Sequence, residues 1–169
     1  MTATEPRLSS TDLSPAAGRV ESIHIADENG GPMRPLTRAR VRAGVGIEGD
    51  RYAIGAGQWS DHPGGDRDLT LVEAEVIDSL AAEHGISLAP GETRRNVTTR
   101  GVRLDDLVGR EFTIGDVRCQ GQRRCEPCAY LQDIVGKPLL KPMTHRGGLR
   151  ALILTDGEFG VGDAVTPLA

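Results

Sequence analysis

Arg19-Val20-Glu21-Ser22-Ile23-His24-Ile25-Ala26, followed at once by Asp27-Glu28-Asn29-Gly30-Gly31-Pro32, reads as a β-strand running into a tight reversal. The strand alternates apolar and polar side chains, the period of a chain with one buried face, and the next six residues concentrate turn formers. The signature recurs. Residues 111–119 form a hairpin pattern with Gly115-Asp116 at its turn, 68–72 read as a buried strand, 149–154 as another, and 158–165 as a last strand carrying Gly160 and Gly162 after an Asp156-Gly157 turn. Convincing helical spacing appears at 73–84, where Val76, Ile77, Leu80 and Ala81 recur at helical intervals, Gly85 provides a stop and His84 suits the dipole of the last turn. Shorter helices are expected at 104–107 and after Pro127. Many strands without regular strand–helix alternation predict a mainly β fold, a closed or partly closed β-barrel with a few peripheral α-helices.

The remaining segments are extended or looped. Residues 33–45 read as one strand with Arg38, Arg40 and Arg42 on one face, and His24, on the polar phase of its strand, is expected to face solvent or a cross-strand neighbour. Residues 44–53 are Gly-rich without dinucleotide-fingerprint spacing, and 54–67, holding Trp59, His62, Gly64 and Gly65, read as a long exposed loop. The polar run 91–101 offers Arg94, Arg95, Asn96 and Thr hydroxyls either as donors to an anion or as an exposed edge strand.

At 169 residues the chain suits one domain, assigned to 19–169 behind a flexible Ser/Thr/Pro-rich leader at 1–18. No window approaches the roughly 18–20 apolar residues of a membrane span, and no secretory signal precedes the domain, so a cytoplasmic protein without membrane contact is expected. The net charge of −4 hides a basic region: between 94 and 150 stand twelve basic and six acidic residues. A basic segment in an acidic chain with 3% aromatics favours an anionic small molecule over nucleic acid.

Chemistry concentrates at Arg123-Arg124-Cys125-Glu126-Pro127-Cys128-Ala129-Tyr130-Leu131. Pro127 fits the first position of a helix, which puts Cys128 in its first turn, where the helix dipole and neighbouring Arg residues favour a thiolate. A buried apolar thiol is the competing reading, and it is preferred for Cys119. The C-x-x-C pair is incomplete as a zinc site, which needs four ligands, and it lacks the βαβ setting of a thioredoxin-like redox pair. No P-loop, nucleophile elbow or H-E-x-x-H is present.

Taken in order, GIEGDRYA (46–53), DLTLVEAEVI (68–77), RRNVTTRGVRLDDLVGREFTIGD (94–116), RRCEPCAYL (123–131), HRGGLRALIL (145–154) and VGD (161–163) resemble the MOSC family, the domain named after the C-terminal part of molybdenum cofactor sulfurases. The resemblance implies a barrel-like β fold and binding of the molybdenum cofactor, a pterin dithiolene with a phosphate; no haem, flavin or pyridoxal phosphate is expected. It makes Cys128 the key thiolate, as a molybdenum ligand or persulfide carrier, with Cys125 as an auxiliary or resolving thiol and Arg123 and Arg124 as the electrostatic setting. It matches Arg95 and Asn96 to an Arg-Asn motif near the pterin and offers Arg51, Arg146 and Arg150 for the phosphate or pterin edge. Tyr52 stands where many members have His. Three functions stay open: reduction of N-hydroxylated or N-oxide compounds, sulfur transfer, and cofactor binding without turnover. Either enzymatic reading needs a small-molecule substrate and a separate protein, an electron donor or a cysteine desulfurase.

Overall fold

The computed structural model describes residues 17–58, 60 and 67–169. The expected leader therefore falls almost wholly outside the described residues, as do Trp59, His62, Gly64 and Gly65 of the expected loop. In chain order the elements are β1 (Gly18–Ala26), β2 (Met33–Leu36), β3 (Arg38–Arg42), β4 (Gly46–Ile47), β5 (Leu69–Glu73), α1 (Ala74–His84), β6 (Val97–Arg100), a 3-10 turn (Leu104–Leu107), β7 (Glu111–Ile114), β8 (Val117–Arg124), α2 (Ala129–Val135), β9 (Leu149–Ile153), β10 (Gly157–Gly160) and β11 (Ala164–Pro167).

Strands β11, β7, β8, β9, β5, β6 and β1 pair in that order, and β1 pairs back to β11. The result is a closed seven-stranded barrel, with β2 added outside the ring on β1. Closure follows from alternation. On β7, Phe112 and Ile114 are buried while Glu111 and Thr113 are not; β8 buries Val117 and Cys119, and β9 buries Leu149, Ala151 and Ile153. These side chains meet Ile23, Leu69, Leu71 and Val97 in one apolar core. At about 25 cal/mol per Å² of apolar surface, this burial is the main term holding the ring shut. Cys119 belongs to that core, and burial, with the nearby charge of Asp68, pushes its thiol up to about 12.

Several sequence expectations need correction. The 33–45 strand breaks at Thr37: β2 stays on the barrel, whereas β3 joins β10 and β4 in a separate three-stranded sheet. Its arginines are exposed as the alternation predicts, and Arg40 pairs with Glu158 at 3.1 Å. The expected last strand likewise divides, because Gly162 at φ 92° turns the chain from β10 in the small sheet to β11 in the barrel. Residues 97–100 are no exposed edge: β6 lies between β5 and β1 and is buried along most of its length.

The β5–α1–β6 unit is a parallel crossover, so one βαβ element does exist. The C-x-x-C pair lies outside it. Helix α1 ends where expected, at Gly85 in the left-handed region; the Gly85 N–H donates to Ala81 O and the Ile86 N–H to Leu80 O. Leu80 carries its apolar face onto Leu131, Leu139 and Met143 around α2. Among the described residues, no helix is long and apolar enough to cross a membrane.

His24 is not solvent-facing. The second half of β1 is buried on both faces, and the His24 ring packs so closely on Gly91 that any side chain there would collide with it. Its Nδ1 is buried without a partner, and desolvation lowers its pKa below the ordinary 6.5. Folding therefore favours the neutral ring. Its stabilising contribution is fully present above 6.5 and is lost as pH falls through the lowered folded value. Urea unfolding at successive pH values should show this loss, and His24→Gln should flatten it.

Gly121 in β8 lies under the 3-10 turn, where an added Cβ would collide with the Leu107 carbonyl oxygen. Its own N–H and C=O already bond Arg110 O and Gly109 N–H at 2.9 Å each. Gly121→Ala should cost about 1–3 kcal/mol, the usual range for overpacking, in equilibrium denaturation.

Candidate functional site

Beyond β8 the chain leaves the barrel wall through Cys125, Glu126 and Pro127. Helix α2 begins at Ala129, two residues later than the sequence suggests. Cys128 is extended (φ −135°, ψ 167°) and forms the N-cap, its Sγ accepting the Leu131 N–H at 3.5 Å. Pro127 thus precedes the helix, because a short side-chain acceptor at 128 satisfies an amide that the first turn leaves open. Cys128 is half-buried, backed by the α2 apolar cluster, whereas Cys125 is 1% exposed.

Residues 50–52 approach from a second direction. Asp50 is buried and accepts from the Ala26 N–H (3.1 Å), the Tyr52 N–H (3.3 Å) and Arg51 Nη1 (3.2 Å). Arg51 is held by that carboxylate, lies 4.9 Å over the Tyr52 ring and donates Nη2 to Arg94 O at 3.3 Å. Arg94 arrives from a third segment in the left-handed region (φ 60°), a conformation uncommon for a non-glycine residue. Its Nη1 donates to Gly31 O at 2.8 Å. Burial, then the charge of Arg51, lowers its pKa from the ordinary guanidinium value.

These segments line a small cleft of about 50 Å³ formed by Arg51, Tyr52, Arg94, Arg95, Cys125, Cys128 and Arg150, together with Thr70, Glu126, Tyr130 and Leu131. Two of the lining arginines each have one guanidinium nitrogen, Arg94 Nη2 and Arg150 Nη1, buried without any hydrogen-bond partner. An unmade buried bond costs about 1–3 kcal/mol, more for a charged group. Four arginines against one lining carboxylate, Glu126, make the cleft receptive to an anion.

Five of the eight candidate residues meet here: Cys128, Cys125, Arg95, Arg51 and Arg150. Asn96 stands behind the wall. Its Oδ1 accepts from Thr70 N–H (3.2 Å) and Oγ1 (3.1 Å), and its Nδ2 donates to His24 O (3.2 Å), so it ties β1 to β5 beneath the site. Arg146 lies to one side, bonding Pro142 O at 2.8 Å. Arg124 makes a bidentate pair with Asp105 at 3.0 and 2.9 Å on the surface. Among the residues not singled out, Tyr130 donates to Asn29 Oδ1 at 2.7 Å, linking the site to the 27–32 turn. Its place two residues beyond Cys128 in the motif is the available signal. Nothing local marks Thr70, and the exceptional backbone of Arg94 is invisible in sequence.

A family model of the MOSC domain matches residues 31–166. The chain belongs to the MOSC family. Solved structures agree with this MOSC fold. The YUAD protein from Bacillus subtilis superposes with a TM-score of 0.74 at 17% identity, over 88% of this chain and 94% of that one. YiiM from Geobacillus stearothermophilus gives 0.63 at 18%, over 93% and 74%, and YiiM from Escherichia coli gives 0.62 at 18%, over 89% and 70%. A search of curated proteins returns no match.

The MOSC family is associated with the molybdenum cofactor, and the residues present fit such a group. The Cys128 thiol, a soft donor, lines the same cleft as Arg94 and Arg150, whose partnerless guanidinium nitrogens have the chemistry to pair with a phosphate or the acceptor edge of a pterin. Among the described residues, no cluster of three His, Cys, Asp or Glu side chains provides an alternative metal cage.

Exposure separates the three thiols. Iodoacetamide applied to the native protein should label Cys128 and leave Cys119 and Cys125 unmodified, with all three labelled after denaturation; peptide mass spectrometry reads the outcome.

Proposed function

We propose that this MOSC protein binds the molybdenum cofactor in the Cys128 cleft, with Cys128 as a thiolate ligand to the metal, and reduces N-hydroxylated or N-oxide compounds. The observation that carries this reading is the convergence of two partnerless buried guanidinium nitrogens with the half-exposed sulfur. The bound group would supply two-electron exchange with substrate. Reductive cleavage of an N–O bond consumes two electrons and two protons and releases water, and a separate electron-donor protein provides the electrons.

The chain's own residues have distinct parts in this reading. Arg94 and Arg150 hold the anionic end of the cofactor through charge-assisted bonds. Arg51, fixed by Asp50 and stacked on Tyr52, contributes positive charge with little freedom to reorient. Leu131 N–H, donating to Sγ, orients the sulfur toward the cleft. Tyr52 occupies the cleft wall, so a phenol stands where an imidazole would serve in other members.

The half-exposed Cys128 thiol also suits sulfur transfer, in which a separate desulfurase would leave a persulfide on Sγ. Protein purified from a cofactor-competent host distinguishes the readings. Molybdenum and pterin should co-purify, Arg94→Ala and Arg150→Ala should each lower pterin retention, and Cys128→Ala should reduce turnover by at least the roughly 10–100-fold that loss of an outer-shell partner causes. Full reduction activity in Cys128→Ala overturns the reductase reading. Metal-free wild-type protein that gains one sulfur at Cys128 when incubated with a desulfurase establishes the transfer reading instead.

A further inference from the structure

Arg95 is 8% exposed, yet it spends its donors on main chain. Nε donates to Gly147 O at 2.9 Å, while Nη2 donates to Cys125 O at 2.9 Å and reaches Glu126 O at 3.4 Å. One planar guanidinium therefore joins the strandless Cys125–Cys128 passage to the glycine loop that leads into β9. The two segments are already in close contact. Cys125 N–H donates to Gly148 O at 2.8 Å, and any side chain at Gly147 would collide with Cys125 O. Between β8 and α2 no ladder holds the chain, and these bonds take its place.

We propose that Arg95 is the positioning residue for the Cys128 sulfur. It acts through the backbone of Cys125 and Glu126, setting where Pro127 and Cys128 enter α2, and so where Sγ faces the cleft. The fork geometry is essential. Nε and Nη2 lie on one rigid edge and serve two different segments at once, with charge strengthening each bond. A lysine ammonium at the end of a flexible stem has no such edge. Glu126 supports the same frame from outside, its Oε2 accepting the His145 N–H at 3.0 Å and thereby tying the far end of the glycine loop to the cysteine passage.

The role belongs to the protein without cofactor, so metal-free protein tests it and a failure of cofactor binding leaves the test intact. The readout is the iodoacetamide rate at Cys128 at one fixed pH, followed by peptide mass spectrometry, with circular dichroism confirming the fold. Arg95→Ala should loosen the passage and accelerate labelling roughly tenfold, as expected when a half-buried group gains a local opening. Millimolar methylguanidinium, which can occupy the vacated space and remake the fork, should return the rate toward wild type. Arg95→Lys, with charge but no fork, should label fast and respond to no added guanidinium. Arg40→Ala, which removes an exposed arginine paired with Glu158 on the small sheet and outside the cleft, should label at the wild-type rate. Wild-type labelling in Arg95→Ala, or acceleration that methylguanidinium leaves unchanged, overturns the proposal. If Arg95→Ala does not fold, Arg95→Lys decides: labelling at the wild-type rate overturns it.

Discussion

Closure of the barrel through β1 is the constraint from which the rest of the molecule follows. The strand pairs with β11 at Gly18 and Arg19, with β6 along its middle, and with β2 from Ile23 onward. A register shift between Val20 and Ser22 lets one strand serve both ends. Gly18 is required at the seam, because a Cβ there would press on Arg100 O and Val102. Once the ring shuts, the apolar faces of seven strands share one interior, and every sheet edge but that of β2 is removed from the main barrel.

The cleft is built where connections at the barrel wall converge, and each connection is held by a buried polar group. Asp50 fixes the 50–52 turn to the end of β1, Asn96 fixes the start of β6 to β1 and β5, and Arg95 fixes the cysteine passage to the loop before β9. Bonds of this kind are directional, so they specify position as apolar packing does not. The apolar cluster behind α2 supplies the bulk of the support, and the polar groups supply the geometry. Amid so much satisfied hydrogen bonding, Arg94 and Arg150 each keep one buried guanidinium nitrogen without a partner.

Period-two alternation makes β1, β7 and the first residues of β8 legible in the sequence, since burial of one face follows directly from the pleat, whereas β5 is legible as a short apolar run and is buried on both faces. Gly85 and Gly115 marked a helix end and a hairpin because few other residues tolerate those backbone angles. Alternation could not reveal sheet membership. The segments 33–45 and 158–165 each look continuous, yet each feeds two sheets, and only the partner strands determine where the chain must bend. Of the two places open to His24, solvent or a cross-strand neighbour, only the first fails: a polar phase implies solvent only where nothing covers the second face, and here Gly91 does, while His24 stands opposite Pro35 of β2.

The residues of the site follow the same division. Its chemistry was written locally: Cys128 beside a proline at a helix start, and a basic segment able to receive an anion. Which arginines serve the cleft was a matter of three-dimensional placement. Arg124 sits four residues before Cys128 yet turns outward to Asp105, whereas Arg51 and Arg150 come from opposite ends of the chain to its wall. Sequence determined the kinds of side chain and the periodicities that bury them, because these depend on neighbours along the backbone. Tertiary structure alone decided which charges remain without partners, because pairing depends on atoms brought together only when the ring closes.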